Sequence, residues 1–168
     1  MRHIYEELAK SLAERNLRAR IIAVGRSALE LYGIEAQYTQ DIDFELIADE
    51  EVWNEIGRLI EGLGVRADYG EDFDRWSVVP MPKGYRERVE CVIKFGDVEI
   101  CVLDPVDYVI AKLRRGTAED EMDAQAVMRK FNLSREDIEE RLKLVKPVKD
   151  VEFFLFKKRM ESFLSGAS

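Results

Sequence analysis

The sequence predicts an α+β protein with an α/β N-terminal half. A small mixed or antiparallel sheet flanked by helices is followed by a helical C-terminal part. Strand-like segments occur between residues 19 and 102, whereas helical periodicity fills the chain beyond Asp104. Gly96-Asp97 separates two alternating segments and is typical of a tight hairpin, which makes part of the sheet antiparallel. An apolar strand that ends at Gly25 and leads into a short helix adds the α/β character.

The N-terminal half contains three predicted helices and two predicted strands. Helical spacing is clearest at the start, where Ile4, Leu8 and Leu12 share one face. In chain order the predicted elements are a helix over 2–16, a strand over 19–25, a short helix over 27–33, a strand over 41–48 and a helix over 49–64. Because side chains alternate along a strand, the second strand presents its acidic residues on one face and its apolar residues on the other.

The rest of the chain combines a strand-rich middle with four C-terminal helices. Residues 76–82, WSVVPMP, predict an edge strand because two prolines remove donors from any ladder. Asp104-Pro105 is a helix cap followed by proline at the first helical position. The predicted helices cover 105–115, 118–130, 134–143 and 148–164. We expect one domain over residues 1–168, with a sheet core over 1–104 and the helical part over 105–168 packed on it. The last helix either covers the core or forms a dimer contact.

The two cysteines lie on either side of the predicted hairpin. With a two-residue turn, Lys94 faces Glu99, and Cys91 and Cys101 then fall on opposite faces of the sheet. A metal site would also need more ligands than these two thiols. We therefore expect two buried thiols and no disulfide.

Composition excludes several classes of function. A net charge of −8 over 168 residues argues against broad nucleic-acid coating, which rests on basic surface. The single histidine, His3, lies near the chain start, which argues against Ser-His-Asp and Cys-His catalysis. No apolar run approaches the length of a membrane helix and no signal peptide is visible, so we expect a cytoplasmic protein. Scarce Asn and Gln beside abundant Glu, Lys and Arg resemble thermophile composition.

One constellation points to phosphate and metal chemistry. Gly25 ends a strand before a helix, where backbone N–H groups favour anions. Asp41 and Asp43 then stand two positions apart on a strand and project to the same side. Mg²⁺ takes such carboxylates together with substrate phosphates, and a pair of ions can serve phosphoryl transfer. Glu99, in the second hairpin strand, is the natural candidate for a third acid.

These residues stand in segments that resemble a known superfamily. The segments VGRSALELYG, TQDIDFEL and VLDPVDYVIAKLRRGTAEDEMD resemble the nucleotidyltransferases of the DNA polymerase beta-like fold over about residues 17 to 130. The most similar branch is a small bacterial and archaeal one that includes abortive-infection-type toxins. The residues that match its motifs are Gly25 of the phosphate turn, the metal-binding Asp41 and Asp43, Glu99 as a loosely placed third acid, Lys112 facing phosphate, and Asp120 and Asp123 of a later helix.

The resemblance implies a Mg²⁺-dependent transfer of a nucleoside monophosphate from an NTP to a hydroxyl acceptor. The acceptor stays open between RNA, a protein hydroxyl and a small molecule. Two departures favour an alternative. Arg26 stands where the branch has Gly or Ser, so that either Ser27 replaces it or Arg26 itself binds phosphate, and Glu119 stands where the branch has arginine. The alternative is a catalytically inactive nucleotide- or partner-binding module, with a homodimer or a cognate antitoxin as possible partners.

Structural interpretations of the same residues also stay open. Asp41, Asp43 and Glu45 fit the solvated face of a half-buried strand, and Glu99 fits a cross-strand ion pair with Lys94. The cations Lys112, Arg114 and Arg115 fit the C-terminal end of a helix dipole. The acids Asp120 and Asp123 fit the first turn of a helix, and Asp104 and Asp107 fit helix capping.

Overall fold

The computed structural model describes residues 1–35 and 41–166. The chain forms two compact units, each made of two segments. The first unit consists of Met1–Asp72 and Val89–Val102, and the second of Phe73–Arg88 and Leu103–Ser168. The first two residues of the TQDIDFEL segment, Thr39 and Gln40, lie outside the described residues.

In the residues that the structure describes, the first unit is a five-stranded mixed sheet with three helices. Its elements are α1 (Arg2–Ala13), β1 (Ala19–Ala23), α2 (Ala28–Leu31), β2 (Asp41–Ala48), α3 (Glu50–Gly62), β3 (Arg66–Gly70), β4 (Glu90–Phe95) and β5 (Val98–Val102). The strand order is β3-β2-β1-β5-β4. The pairs β1–β2 and β4–β5 are antiparallel, and the pairs β1–β5 and β2–β3 are parallel. The predicted α+β class and mixed sheet are confirmed.

The apolar face of the central strands forms the core of this unit. Ile42, Phe44 and Leu46 of β2 are at most 1% exposed, as the strand alternation predicts. Tyr69 of β3 stacks on Phe44, and Trp53 of α3 stacks on Tyr69 at 5.9 Å between ring centroids. Helix α3 therefore covers this face, which leaves the acidic positions of β2 on the other one.

The edge strand is not where the sequence predicts it. Residues 77–82 form no strand, and a short 3-10 turn, Phe73–Trp76, precedes them. Side chains satisfy the backbone here, because the Met81 amide donates to Asp74 Oδ1 at 2.7 Å and Arg114 donates to the Val79 carbonyl at 2.6 Å. The polar segment Arg66–Gly70 supplies the edge strand β3 in its place.

The hairpin has the predicted turn but not the predicted cysteine geometry. Lys94 lies opposite Glu99, as expected. A register shift at Val92 then places Cys91 directly opposite Cys101, and the two sulfurs form a disulfide. The expectation of two free thiols on opposite faces is wrong because one extra residue in β4 reverses the alternation beyond it.

Up to residue 166, the second unit holds four C-terminal helices, as predicted: α4 (Pro105–Arg115), α5 (Ala118–Phe131), α6 (Arg135–Leu142) and α7 (Val151–Gly166). Asp104 caps α4 by accepting from the Val106 amide at 3.0 Å. Asp107 does not act as a cap. It is fully buried and binds Arg88 and Arg141, each at 2.8 Å. Among the described residues no helix is long and apolar enough to cross a membrane.

Candidate active site

The turn after β1 brings Gly25 against Asp43. The amide of Val24 donates to the Asp43 carbonyl at 2.8 Å, which continues the pairing of β1 with β2. Gly25 follows with a φ of +59°, a left-handed conformation that favours glycine. A Cβ at this position would overlap Asp43 Oδ2 and lie 3.1 Å from Asp43 Cγ. The absence of a side chain at Gly25 therefore makes room for the Asp43 carboxylate.

Asp41 and Asp43 project from the same face of β2, and both are half-buried. The neighbouring strand β3 places Arg66 opposite Asp41 and Asp68 opposite Asp43. Arg66 Nε lies 2.8 Å from Asp41 Oδ1, and a second guanidinium nitrogen lies 3.3 Å from Oδ2. The Arg66 side chain is 78% exposed, so its guanidinium can leave Asp41 without disturbing the core.

A pair of buried hydroxyl groups connects helix α1 to the turn that contains Gly25. The hydroxyls of Tyr5 in α1 and Ser27, the residue before α2, lie 2.8 Å apart. Tyr5 is 0% exposed and Ser27 is 1% exposed. Burial raises the pKa of Tyr5 well above its usual value; the Ser27 hydrogen bond opposes this shift, and the charge of Asp43 adds to it. The pair ties the first helix to the turn that contains Gly25.

The remaining predicted residues of this face lie in different surroundings. Arg26 is half-buried directly after Gly25. Glu45 is 0% exposed, so the interpretation of its carboxylate as part of a solvated face is wrong. Glu45 lies opposite Ile22 of β1 and Gly70 of β3 in the two ladders that flank β2.

Glu99 belongs to a different part of the sheet from the acid pair. It lies opposite Arg20 in β1, four positions before Val24, which is about 13 Å along the strand from the level of Asp43. Its carboxylate accepts from Arg20 Nη2 at 2.9 Å and from Lys94 Nζ at 3.2 Å. Hydrogen bonds from Arg20 and then Lys94 hold the pKa of Glu99 below its usual value. The cross-strand ion pair with Lys94 is confirmed, and Glu99 is not brought to the acid pair.

In the second unit, Lys112 forms a buried ionic cluster. The Lys112 ammonium is 3.3 Å from Asp120 Oδ1 and 2.7 Å from Asp123 Oδ2, and all three residues are at most 6% exposed. Arg115 donates twice to Asp120 at 2.7 Å, and Thr117 completes a capping box with the same carboxylate. Burial alone would raise the pKa of Asp120, but Arg115, Lys112 and Thr117 together hold that pKa at about 2.

All three cations lie in the last turn of α4, as the helix-dipole interpretation predicts, and each also binds a specific partner. Lys112 and Arg115 bind acids of α5, as described above. Arg114 is buried and binds Asp74 at 3.0 Å in addition to the Val79 carbonyl. Asp120 does occupy the first turn of α5, as the helix interpretation predicts, whereas Asp123 lies further along the helix.

Comparison with known families gives this geometry a context. Residues 1–143 match the model of a family described as a nucleotidyltransferase of unknown function (DUF6036). The chain belongs to this family. No curated protein matches the chain. The family match includes the Gly25 turn, the acid pair and helices α4 to α6, and it ends before α7. Membership in this family confirms the resemblance to nucleotidyltransferases.

Sequence reasoning did not single out two residues of this site. Tyr5 lies on the apolar face of α1, where a tyrosine signals a buried hydroxyl that needs a partner. Arg66 stands in a polar segment that was not predicted as a strand, and its contact with Asp41 depends on the register of β3. Tyr5 therefore had a weak signal in the sequence, and Arg66 had none.

Proposed function

We propose that this protein transfers a nucleoside monophosphate from an NTP to a hydroxyl-bearing acceptor in a Mg²⁺-dependent reaction. The observation that carries the proposal is the contact between Gly25 and the Asp43 carboxylate, in a chain that belongs to a nucleotidyltransferase family. A phosphate-sized anion and a metal-binding acid need to be neighbours in such a reaction, and this turn places backbone and carboxylate side by side. RNA, a protein and a small molecule are all candidate acceptors.

The donor set of β2 fits a hard divalent cation. Asp41 and Asp43 offer oxygen ligands from alternate positions of one strand face, as Mg²⁺ prefers. These two residues would hold the ion, with a second ion possible beside them. Bound Mg²⁺ supplies positive charge that neutralises the triphosphate and the charge that develops during transfer.

The protein's own groups have separate tasks in this proposal. Gly25 leaves room beside the turn for the Asp43 carboxylate, which a side chain at residue 25 would displace. Arg26, directly after the turn, offers a fork of donors to the triphosphate. Ser27 is buried, and its hydrogen bond with Tyr5 holds the turn against helix α1. Arg66 holds Asp41 in the absence of a cation and releases it when one binds.

Two residues that the resemblance assigns to the site are left out of the proposal. Glu99 is bound to Arg20 and Lys94 at another level of the sheet. The charge of Lys112 is balanced by Asp120 and Asp123 within the second unit. The proposal therefore needs only the turn and the acid pair.

Calorimetric titration with Mg²⁺ and each NTP tests binding. We expect the wild type to bind an Mg·NTP complex, and we expect Asp41→Asn and Asp43→Asn to lose most of that affinity. Asp49→Asn, at an exposed position just after β2, is the matched control and keeps wild-type affinity. Equal binding by the wild type and both site variants would remove the basis of the proposal.

Incubation with α-labelled NTPs then tests transfer. Label that appears in RNA, in protein or in a small hydroxyl compound, and depends on Asp43, is the expected result. Binding without label transfer to any of these supports the second candidate, a nucleotide- or partner-binding module that lacks catalysis. Arg66 on Asp41, together with Arg26 and Glu119 at positions where the resembled branch has other residues, favours this second candidate. An antitoxin or a second copy would then be its partner.

A further inference from the structure

A second cluster of potential ligands lies in the last two strands of the sheet. Cys91 of β4 and Cys101 and Glu99 of β5 point to the same face. Their sulfur and carboxylate atoms all lie within 4.8 Å of one another, with Cys91 Sγ 4.0 Å from Glu99 Oε2. Cys91 is exposed, whereas Cys101 is 0% exposed. The cluster is therefore reachable from solvent on one side and enclosed on the other.

We propose that Cys91, Cys101 and Glu99 form a Zn²⁺-class metal site when the two cysteines are reduced, and that the disulfide closes this site. Two thiolates and one carboxylate are ligands that Zn²⁺ accepts, and three protein ligands leave its fourth position open. Softer thiolate ligands also separate this site chemically from the oxygen-only pair Asp41 and Asp43.

The spacing suits the proposed ion once the disulfide is open. In a tetrahedral site with Zn–S bonds of about 2.3 Å, two coordinating sulfurs stand about 3.8 Å apart. Two reduced sulfurs that face each other across β4 and β5 separate to roughly the same non-bonded distance. The bulge at Val92 makes this possible, because it sets Cys91 directly opposite Cys101.

Glu99 is already oriented for such a role. Arg20 and Lys94 donate to its two oxygens, and ligating carboxylates are commonly held by outer hydrogen bonds of this kind. The two thiolates and the carboxylate offset the charges of Arg20 and Lys94 and half of the charge of a divalent ion. In this site Glu99 has a role of its own, separate from the distant acid pair Asp41 and Asp43.

Opening the site requires a two-electron reduction by a thiol or a phosphine. The thiolate of a small dithiol attacks the exposed Cys91 sulfur, the S–S bond breaks, and Cys101 leaves as a thiolate. The second thiolate of the same reagent attacks the mixed disulfide, releases Cys91 as a thiolate and leaves as its own cyclic disulfide. The dithiol is thus oxidised, and both protein sulfurs become available as ligands.

Cobalt substitution tests the site in the full-length chain. The wild type is reduced with dithiol, freed of reagent under anaerobic conditions and titrated with Co²⁺ and then Zn²⁺. We expect one equivalent of Co²⁺ to give the absorption of a thiolate-to-cobalt charge transfer, and Zn²⁺ to abolish it. The oxidised wild type gives no such band. Binding at Asp41 and Asp43 cannot produce this band, because carboxylates lack the sulfur donor.

Variants assign the three ligands. Cys91→Ser and Cys101→Ser lose the charge-transfer band, and Glu99→Gln weakens Co²⁺ binding at least tenfold. Glu90→Gln is the matched control, since Glu90 is exposed beside Cys91 and points to the other face of β4. Near-ultraviolet circular dichroism of the reduced wild type verifies that the fold persists. A folded, reduced wild type without a charge-transfer band, or a band that survives Cys101→Ser, overturns the proposal.

Discussion

The Asp43 carboxylate occupies the space in which a side chain at residue 25 would stand. Gly25 adopts a left-handed conformation, and a Cβ added to it would lie only 3.1 Å from Asp43 Cγ. The backbone of the turn and the carboxylate are thereby held next to each other. This relationship leads to the first prediction.

Gly25→Ala disrupts the candidate site more than its cost in stability implies. We expect the left-handed conformation to cost about 1–2 kcal/mol in the free energy of unfolding. The added methyl also displaces the Asp43 carboxylate, so Mg·NTP affinity falls at least tenfold in calorimetric titration.

Gly64→Ala provides the matched control for this prediction. Gly64 has a φ of +69°, and a Cβ there would meet nothing within 4 Å. It carries the same conformational cost without the contact, so we expect lower stability and unchanged Mg·NTP affinity. If both variants lose affinity equally, the contact with Asp43 has no special role.

Arg66→Met raises the affinity of the acid pair for Mg²⁺. The Arg66 guanidinium lies 2.8 Å from Asp41 and competes with any cation for that carboxylate. Because the pair is exposed, it contributes little to stability, and we expect a change in unfolding free energy below about 1 kcal/mol. Titration with Mg²⁺ checks the affinity, and Arg58→Met, at a similarly exposed arginine of α3, is the control. Unchanged Mg²⁺ affinity in Arg66→Met would show that Asp41 does not bind the ion.

Tyr5→Phe destabilises the first unit through one buried hydrogen bond. Loss of the Tyr5 hydroxyl leaves the Ser27 hydroxyl without this partner, at a cost of about 1–3 kcal/mol. In a double-mutant cycle with Ser27→Ala, measured by urea unfolding, we expect a coupling energy of about 1 kcal/mol. Additive effects of the two substitutions would contradict a direct interaction.

Asp120→Asn changes the acid stability of the protein. The folded pKa of Asp120, about 2, lies below the usual value of an unfolded aspartate. The carboxylate therefore stabilises the fold fully above the unfolded pKa, and this contribution is lost as the pH falls through about 2. We expect Asp120→Asn to cost about 2 kcal/mol at neutral pH, and we expect its difference from wild type to shrink as the pH falls from 5 towards 2.

Urea unfolding across that pH range measures the difference for Asp120→Asn. Asp137→Asn is the control, because Asp137 forms the same kind of capping box with Ser134 but is exposed. Its effect should be smaller, since it lacks the buried Lys112. A difference between Asp120→Asn and wild type that stays constant with pH would contradict the assignment.

Local patterns predicted most of the fold. Within the described part of the chain, the helices α1 to α7 and the strands β1, β2, β4 and β5 follow from apolar periodicity, caps and turn residues, because these signals act over a few neighbouring positions. β3 was missed because an edge strand needs little apolar character, and Arg66–Gly70 has little. The edge strand expected at residues 76–82 failed because side chains, not a neighbouring strand, satisfy its backbone.

In the candidate site, too, local sequence patterns predict some features and only the tertiary structure shows the others. The sequence alone determined Gly25 as a turn residue and Asp41 and Asp43 as carboxylates on one face, since both follow from strand geometry. The tertiary structure decided which groups these residues meet. Strand register assigned Arg66 to Asp41 and moved Glu99 away from the acid pair, and one extra residue in β4 joined Cys91 to Cys101. Such partners depend on pairing between distant segments, and a shift of one position reverses which face a side chain occupies.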